Sequence, residues 1–342
     1  MKRLFLSVFM LLVAFATFAQ SRPKLIVGIV VDQMRWDYLH RYYNLYCEGG
    51  FKRLMNEGFD CENTMINYIP AITAVGHTSI YTGAVPSIHG IQANNFLLNG
   101  KMTYCTADST VSGVGTDSKA GQMSPRNMLT TTIGDELKVA TNFKSRVFGV
   151  SIKDRAAILP AGHAADAAYW IDSKQSKFIT SNYYMKQLPA WVEKYNKKIS
   201  KYTSDQISYS PVGNEVTIDM AKNVISNEKL GQQGETDMLC VSFSSTDKIG
   251  HKYGTHCQII QDQFVDLDKR LADFFNYLDQ TIGKDEYLVF LTADHGAANN
   301  ILMNQKHGIP AGGFFYKQEL KDLNTYLQKK YNTTANLARY IM

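Results

Sequence analysis

At 342 residues the chain has enough material for one large domain or two small ones around a sizeable buried core. A composition of 45% hydrophobic, 12% aromatic and 20% charged residues excludes a disordered, collagen-like or acidic solvating chain. The formal charge of +5 includes no run of five basic residues, so no nucleic-acid footprint is expected, and the mild excess favours an anionic substrate.

Lys2 and Arg3 precede an apolar stretch from Leu4 to Phe18 with small residues after it, the pattern of a secretory signal cleaved after Ala19. The apolar stretch is shorter than the roughly 20 residues a membrane span needs. A periplasmic or secreted protein without stable membrane insertion is therefore expected. Five cysteines (Cys47, Cys61, Cys105, Cys240, Cys257) form no CxxC pair and are odd in number, so at most two disulfides can form, with Cys47 and Cys61 the candidate pair.

Lys24–Val31 is the first of four short, β-branched-rich apolar runs, and Asp32 ends it. Thr73 follows Pro70 at the start of a short helical pattern, TAVGHTSIYTG. Met128, Leu129, Ile133, Leu137 and Ala140 mark a helix, and the second run, Arg146–Ile152, leads into Lys153 and Arg155. Between 161 and 213 the chain becomes polar and Tyr-rich. A hairpin (168–171 with 178–181) and a short helix (189–195) are expected there, as an insertion capping the site. Tyr169, Trp170 and Tyr183 would line the pocket mouth, or else pack in the core or the hairpin. The third run, Met238–Phe243, is followed by Asp247 and His251. A helix then carries Ile260, Phe264, Leu267, Leu271, Phe274 and Leu278 at spacings of three and four. The fourth run, Tyr287–Leu291, leads to Asp294 and His295. Unbroken apolar runs alternating with helices predict an α/β doubly wound core with a mostly parallel sheet.

Charged and metal-competent residues thus come after every strand. Singly, each is a polar strand terminator; together they mark the carboxyl edge, where open α/β sheets bind ligands. Asp247 and His251, four residues apart, fall on one side of a helical turn and can share an ion. Asp32, Asp294 and His295 can hold another. Mixed oxygen and nitrogen donors suit zinc better than magnesium or calcium, with manganese and iron also compatible. Two ions about 3.5–4 Å apart would make the clamp used in phosphoryl transfer. Thr73 is either an N-cap or a nucleophile, because a hydroxyl at a helix N-terminus meets unpaired N–H groups that welcome phosphate. His77, His89, His163, His256 and His307 are expected to be structural.

The succession VVDQMRWDYL, ITAVGHTSIYTG, HGIQANNF, IKDRAA, STDKIGH and TADHGA resembles the secreted threonine-nucleophile alkaline phosphatases of the type I phosphodiesterase/nucleotide pyrophosphatase group in the alkaline phosphatase superfamily. The resemblance covers nearly all of residues 20–342. It implies an alkaline phosphatase-like catalytic domain with two zinc ions, one on Asp32, Asp294, His295 and the Thr73 oxygen, the other on Asp247, His251 and a third histidine. It also implies a covalent phosphothreonine on Thr73 that water hydrolyses, and it sets Asn94, Lys153 and Arg155 on the phosphoryl oxygens: an amide, a point charge and a planar fork suit a monoester dianion, whereas a diester carries one charge fewer. Past His295 only His307 occurs, in Lys306-His307-Gly308-Ile309-Pro310, which does not match the expected ligand motif. The catalytic domain is therefore expected to be incomplete at its C-terminus, with a weakened second zinc site and reduced activity. The expected reaction is hydrolysis of phosphate monoesters, with a phosphodiesterase or an inactive phosphate-binding remnant as the alternatives. No C/S-x-P-x-R motif supports a sulfatase. The sequence leaves the oligomeric state open.

Overall fold

The computed structural model describes residues 22–339, so the expected leader at 1–19 lies outside the described residues. The chain divides into two compact units, Met1–Ala297 and Ala298–Met342.

The four apolar runs form strands, with bounds shifted by a residue at most. A seven-stranded sheet contains β1 (Leu25–Val31), β4 (Gly113–Val114), β5 (Val147–Ser151), β6 (Ala167–Asp172), β7 (Lys177–Ser181), β8 (Asp237–Phe243) and β9 (Tyr287–Thr292), in the order β4-β7-β6-β5-β8-β1-β9. β6, β5, β8, β1 and β9 run parallel, and β7 and β4 join antiparallel at one edge. β5 and β8 are buried along their whole length, as expected for strands covered on both faces. A separate hairpin, β2 (Asn95–Leu98) with β3 (Lys101–Tyr104), pairs Asn95 with Tyr104.

Register brings the site together. Val31 pairs with Phe243, and Val30 pairs with Thr292 on the other side of β1. The residues just past β8, β1 and β9 therefore emerge level with one another, with Asp32 between the chain ends that lead to Asp247 and Asp294.

The amphipathic pattern at 260–278 forms the helix Gln258–Leu278, and its Ile260, Phe264, Leu267, Leu271, Phe274 and Leu278 are all buried in the main core. Removing each such side chain from water contributes about 1.5–3 kcal/mol. On the same helix Asp268 is fully buried; its carboxylate accepts the N–H groups of Cys47 (2.7 Å) and Phe51 (2.8 Å) and so holds the start of the helix Phe51–Glu57 against the core.

Three expectations need correction. The 167–181 hairpin does not stand apart as a cap; β6 pairs with β5 and extends the main sheet, because its residues are apolar on both faces. Tyr169 and Trp170 are consequently core residues, while Tyr183 is exposed. The helix expected from Met128 starts at Ile133, because a capping box between Thr132 and Asp135 fixes its N-terminus. Met128 packs in a small cluster with Cys105, and Leu129 donates its N–H to the His89 carbonyl. All five cysteines are free: Cys47 faces the Asp268 carbonyl, and Cys61 is exposed elsewhere.

In the unit from Ala298, the helices Ile301–Lys306 and Tyr316–Tyr331 appear, and Asn324 ties the second to the chain beyond it through Nδ2 to the Ala338 carbonyl (2.7 Å) and the Ala338 N–H to Oδ1 (2.9 Å). Among the described residues, no helix is long and apolar enough to cross a membrane.

Asp268→Ala leaves two N–H groups without their acceptor and should lower unfolding free energy by about 2–3 kcal/mol in urea titration. A loss below about 0.5 kcal/mol would show that Asp268 does not anchor this helix.

Candidate active site and metal centre

The site is assembled on the carboxyl edge of β1, β5, β8 and β9. Asp32 is fully buried; its N–H donates to the Phe243 carbonyl at 3.0 Å, and Oδ2 accepts from Lys153 Nζ at 2.6 Å. Lys153 is the residue before the helix Asp154–Ala161, where its buried Nζ also reaches Asp247 Oδ2 (2.6 Å) and Thr73 Oγ1 (3.5 Å). Asp247 and His251 lie on the helix Ser245–Tyr253, with His251 Nε2 3.0 Å from Asp247 Oδ1, as their spacing predicts.

Thr73 is the first residue of the helix Thr73–Thr82, since Ile72 is still extended. Its hydroxyl therefore sits where helix N–H groups are unpaired. Asn94 lies just before β2 and accepts the Ala74 N–H on Oδ1 at 3.0 Å, which leaves its Nδ2 hydrogens as donors for a ligand. The helix packs closely on the Asp294 segment because residue 76 is glycine: a methyl group there would collide with the Asp294 carbonyl oxygen.

Asp294 and His295 come just after β9. Asp294 Oδ1 accepts the N–H groups of Gln33 (3.1 Å) and His295 (3.0 Å). His295 Nδ1 lies 2.7 Å from the Gly296 carbonyl, a partner that puts the hydrogen on Nδ1 and leaves the Nε2 lone pair exposed to the site. That nitrogen is 3.5 Å from Asp32 Oδ1 and 3.6 Å from Asp294 Oδ2. Both of these carboxylate oxygens are buried; Asp32 Oδ1 receives no hydrogen bond, and Asp294 Oδ2 has His77 Nδ1 3.1 Å away, a nitrogen that also lies against the Thr73 carbonyl. Two buried carboxylate oxygens, one of them without a donor, facing an imidazole lone pair and all within 4.8 Å of one another, are surroundings that suit a cation. Among the described residues, Asp32, Asp294 and His295 form the one such group of three; Asp247 and His251 supply a pair beside it.

The electrostatics agree with this assignment. Burial, then the neighbouring Asp294 carboxylate, pushes the Asp32 carboxyl up to about 6 despite Lys153. Burial acts in the same direction on Asp247, but the His251 hydrogen bond and the Lys153 charge outweigh it and hold Asp247 well below the usual carboxylate range. Asp294 likewise remains low, since His77 overcomes its burial. The Asp247 hydrogen bond raises the His251 imidazole above its ordinary value.

Motif reading did not single out three supporting residues. Gln33 bridges two carboxylates, its N–H on Asp294 and its Nε2 on Asp247 Oδ1 at 2.8 Å. Tyr104 accepts a bond from Arg155 Nη1 (3.0 Å) and donates to Asp154 Oδ1 (2.8 Å), which sets the orientation of the arginine. Gly76, as above, admits the Asp294 backbone against the helix that carries Thr73. Arg155 Nε, buried without a partner, retains a donor. His77 was expected to bond within its helix and does so, with Nδ1 2.8 Å from the Thr73 carbonyl. It also lies 3.1 Å from Asp294 Oδ2, and its Nε2 is 2.7 Å from Ser242 Oγ. His89 is a buried partner of Ser79, and His307 is exposed with Nδ1 2.8 Å from the Met303 carbonyl.

The parallel sheet with an Asp/His cluster at its carboxyl edge defines an alkaline phosphatase-like α/β protein. The chain belongs to the type I phosphodiesterase/nucleotide pyrophosphatase family, whose model matches residues 26–335. It is 46% identical to a Myroides odoratus protein named calcium-transporting ATPase, over 94% of this chain and 69% of that one. It is 45% identical to alkaline phosphatase PafA of Elizabethkingia meningoseptica, over 94% and 68%. Alkaline phosphatase PhoV of Synechococcus elongatus is also 45% identical, over 92% and 66%. The crystal structure of wild-type PafA superposes with a TM-score of 0.88 at 44% identity, covering 92% of this chain and 70% of that one.

A cation must displace the Asp32 proton as pH falls below about 6, so zinc affinity should drop about tenfold per pH unit there. The sign for the metal-free fold is opposite to that of an ordinary carboxylate: the folded pKa exceeds the unfolded one, so this group adds stability as pH falls from about 6 towards 3.8. Zinc should accordingly raise the melting temperature more at pH 7.5 than at pH 5, and an equal rise would contradict the assignment. Gly76→Ala should lower stability by about 1–3 kcal/mol and weaken zinc binding with it, as read by urea unfolding and zinc titration.

Proposed function

We propose that the protein is a zinc-dependent phosphomonoesterase, an alkaline phosphatase that works through a covalent phosphothreonine on Thr73. The observation that carries this reading is the pair of buried carboxylate oxygens, on Asp32 and Asp294, facing the His295 lone pair at the strand edge where Lys153 Nζ reaches both Asp32 and the Thr73 hydroxyl. The names of PafA and PhoV point the same way.

Asp32, Asp294 and His295 would hold one zinc ion, with Thr73 as the hydroxyl beside it, and Asp247 with His251 would hold the other. Bound zinc supplies Lewis acidity, lowering the pKa of an oxygen nucleophile and neutralising charge on the leaving oxygen. Asn94 Nδ2, Lys153 Nζ and Arg155 bind the nonbridging oxygens and set the phosphorus in line with Thr73 Oγ1. The Thr73 oxygen then forms the new P–O bond as the ester P–O bond breaks, releasing an alcohol that takes up a proton. A water molecule attacks the phosphothreonine in the second step, regenerating the Thr73 hydroxyl and releasing phosphate. Tyr104 holds Arg155 in place throughout, through its bonds to Asp154 and the guanidinium.

Three cationic and amide donors suit a monoester dianion, whose oxygens can use all of them; a diester places a second substituent against the same groups. The Asp247/His251 pair has two protein ligands among the described residues, so its ion should be held less tightly than the first. Export is proposed from Lys2, Arg3 and the apolar run to Phe18.

Comparing p-nitrophenyl phosphate with bis-p-nitrophenyl phosphate tests the substrate class. The monoester should be hydrolysed faster, and Thr73→Ala should reduce that rate at least about a thousandfold. Lys153→Ala should lower monoester kcat/KM about 10²–10³-fold and affect the diester less. Faster diester cleavage would make the protein a phosphodiesterase, and phosphate binding without turnover would make it a binding protein.

A further inference from the structure

Gln33 contacts both halves of the metal centre, and its backbone is unusual. It comes directly after Asp32 at the end of β1 with a φ of 64°, a left-handed conformation that L-residues other than glycine seldom adopt. The turn has two consequences. Its N–H, leaving the strand direction, donates to Asp294 Oδ1 at 3.1 Å, and its side chain, only 6% exposed, extends Nε2 to Asp247 Oδ1 at 2.8 Å. Asp294 belongs to the first group of ligands and Asp247 to the second. A second observation concerns Gly250, on the Ser245–Tyr253 helix between Asp247 and His251. Alanine would form a better helix there, yet a methyl group at that position would collide with Gln33 Oε1. The helix is thus shaped to receive the glutamine amide.

We infer that Gln33 is a positioning residue that sets the spacing of the two metal half-sites, its backbone N–H orienting Asp294 and its side-chain amide orienting Asp247. On Asp294 the hydrogen bond occupies Oδ1 and leaves Oδ2 facing His295 Nε2; on Asp247 the amide shares Oδ1 with His251 Nε2 and so fixes the carboxylate beside that imidazole, while Oδ2 meets Lys153 Nζ. A neutral amide does this without adding charge, whereas a lysine or arginine at 33 would compete with the ions, and a glutamate would repel both carboxylates. The inference rests on the two-ion reading above and deepens it.

Gln33→Gly separates the two roles, because glycine suits the positive φ and keeps the N–H while deleting the amide. In the metal-free protein, urea unfolding of wild type, Gln33→Gly, Asp247→Ala and the double variant forms a thermodynamic cycle. The coupling should change the unfolding equilibrium constant about tenfold or more, and additivity within about twofold would overturn the proposal. This cycle decides the matter however many ions the protein takes up and whether or not it hydrolyses phosphate esters. In zinc titrations Gln33→Gly should weaken the looser ion about 10–100-fold and the tighter ion much less. Gly250→Ala should produce the same selective loss of the looser ion through displacement of the amide, and combining it with Gln33→Gly should weaken that ion no further. Equal weakening of both ions, or no weakening, would count against the assignment. Failure of the wild type to hydrolyse p-nitrophenyl phosphate would refute the phosphatase reading and leave the cycle interpretable.

Discussion

Three carboxylates, Asp32, Asp247 and Asp294, share one buried strand edge, and the rest of the site is shaped by the need to offset their mutual repulsion. Like charges about 4 Å apart repel by about 4 kcal/mol at an effective dielectric of 20, a large fraction of the stability of an ordinary domain. In the protein alone, Lys153 bridges two of them, His77 sits beside the third, and Asp32 responds by holding its proton up to about 6. Divalent cations would answer the same constraint more fully: Asp32 Oδ1 and Asp294 Oδ2 face His295, and Asp247 Oδ1 faces His251. The charge that makes the fold costly is also the charge that would bind the proposed ions.

The scaffold keeps this arrangement rigid by devices that are individually small. Parallel pairing on both sides of β1 brings three chain ends level. Gly76 lets the nucleophile helix approach the Asp294 backbone, and the β2–β3 hairpin sets Asn94 and Tyr104 at its two ends. His77 connects the Thr73 carbonyl to Ser242 on β8, so the helix bearing Thr73 is tied to the sheet whose edge carries Asp32 and Asp294. Lys153 belongs to the charge balance and, in the proposed mechanism, also to the phosphate clamp. A substrate dianion that draws its Nζ would relax the contacts with Asp32 and Asp247, which the proposed ions would replace.

Much of this was legible in the chain. Asp32, Lys153, Asp247 and Asp294 each come after a β-branched apolar run, and the i,i+4 spacing of Asp247 and His251 survives on a real helix. These are local patterns, and parallel sheets convert strand ends into one edge regardless of their separation in sequence. Gln33, Tyr104 and Gly76 were not legible, because their roles consist of contacts with residues 214, 50 and 218 positions away and no local signature accompanies them. The β6–β7 hairpin was recognised, but its place in the sheet was not: the polar, Tyr-rich chain around it masked strands that are apolar on both faces. The Cys47–Cys61 pairing failed for a similar reason, since cysteine count constrains parity and says nothing of which loops meet.

By itself, then, the order of residues determined an α/β sheet, the residues at its carboxyl edge, a hydroxyl at a helix start and donors suited to phosphate, because periodicity and short spacings encode secondary structure and the residues at its ends. Only the tertiary structure decided which oxygens remain without donors, which carboxylate keeps a proton and which residues hold the ligands in register. Those properties depend on burial and on distances of a few ångströms between distant segments, and packing alone sets them.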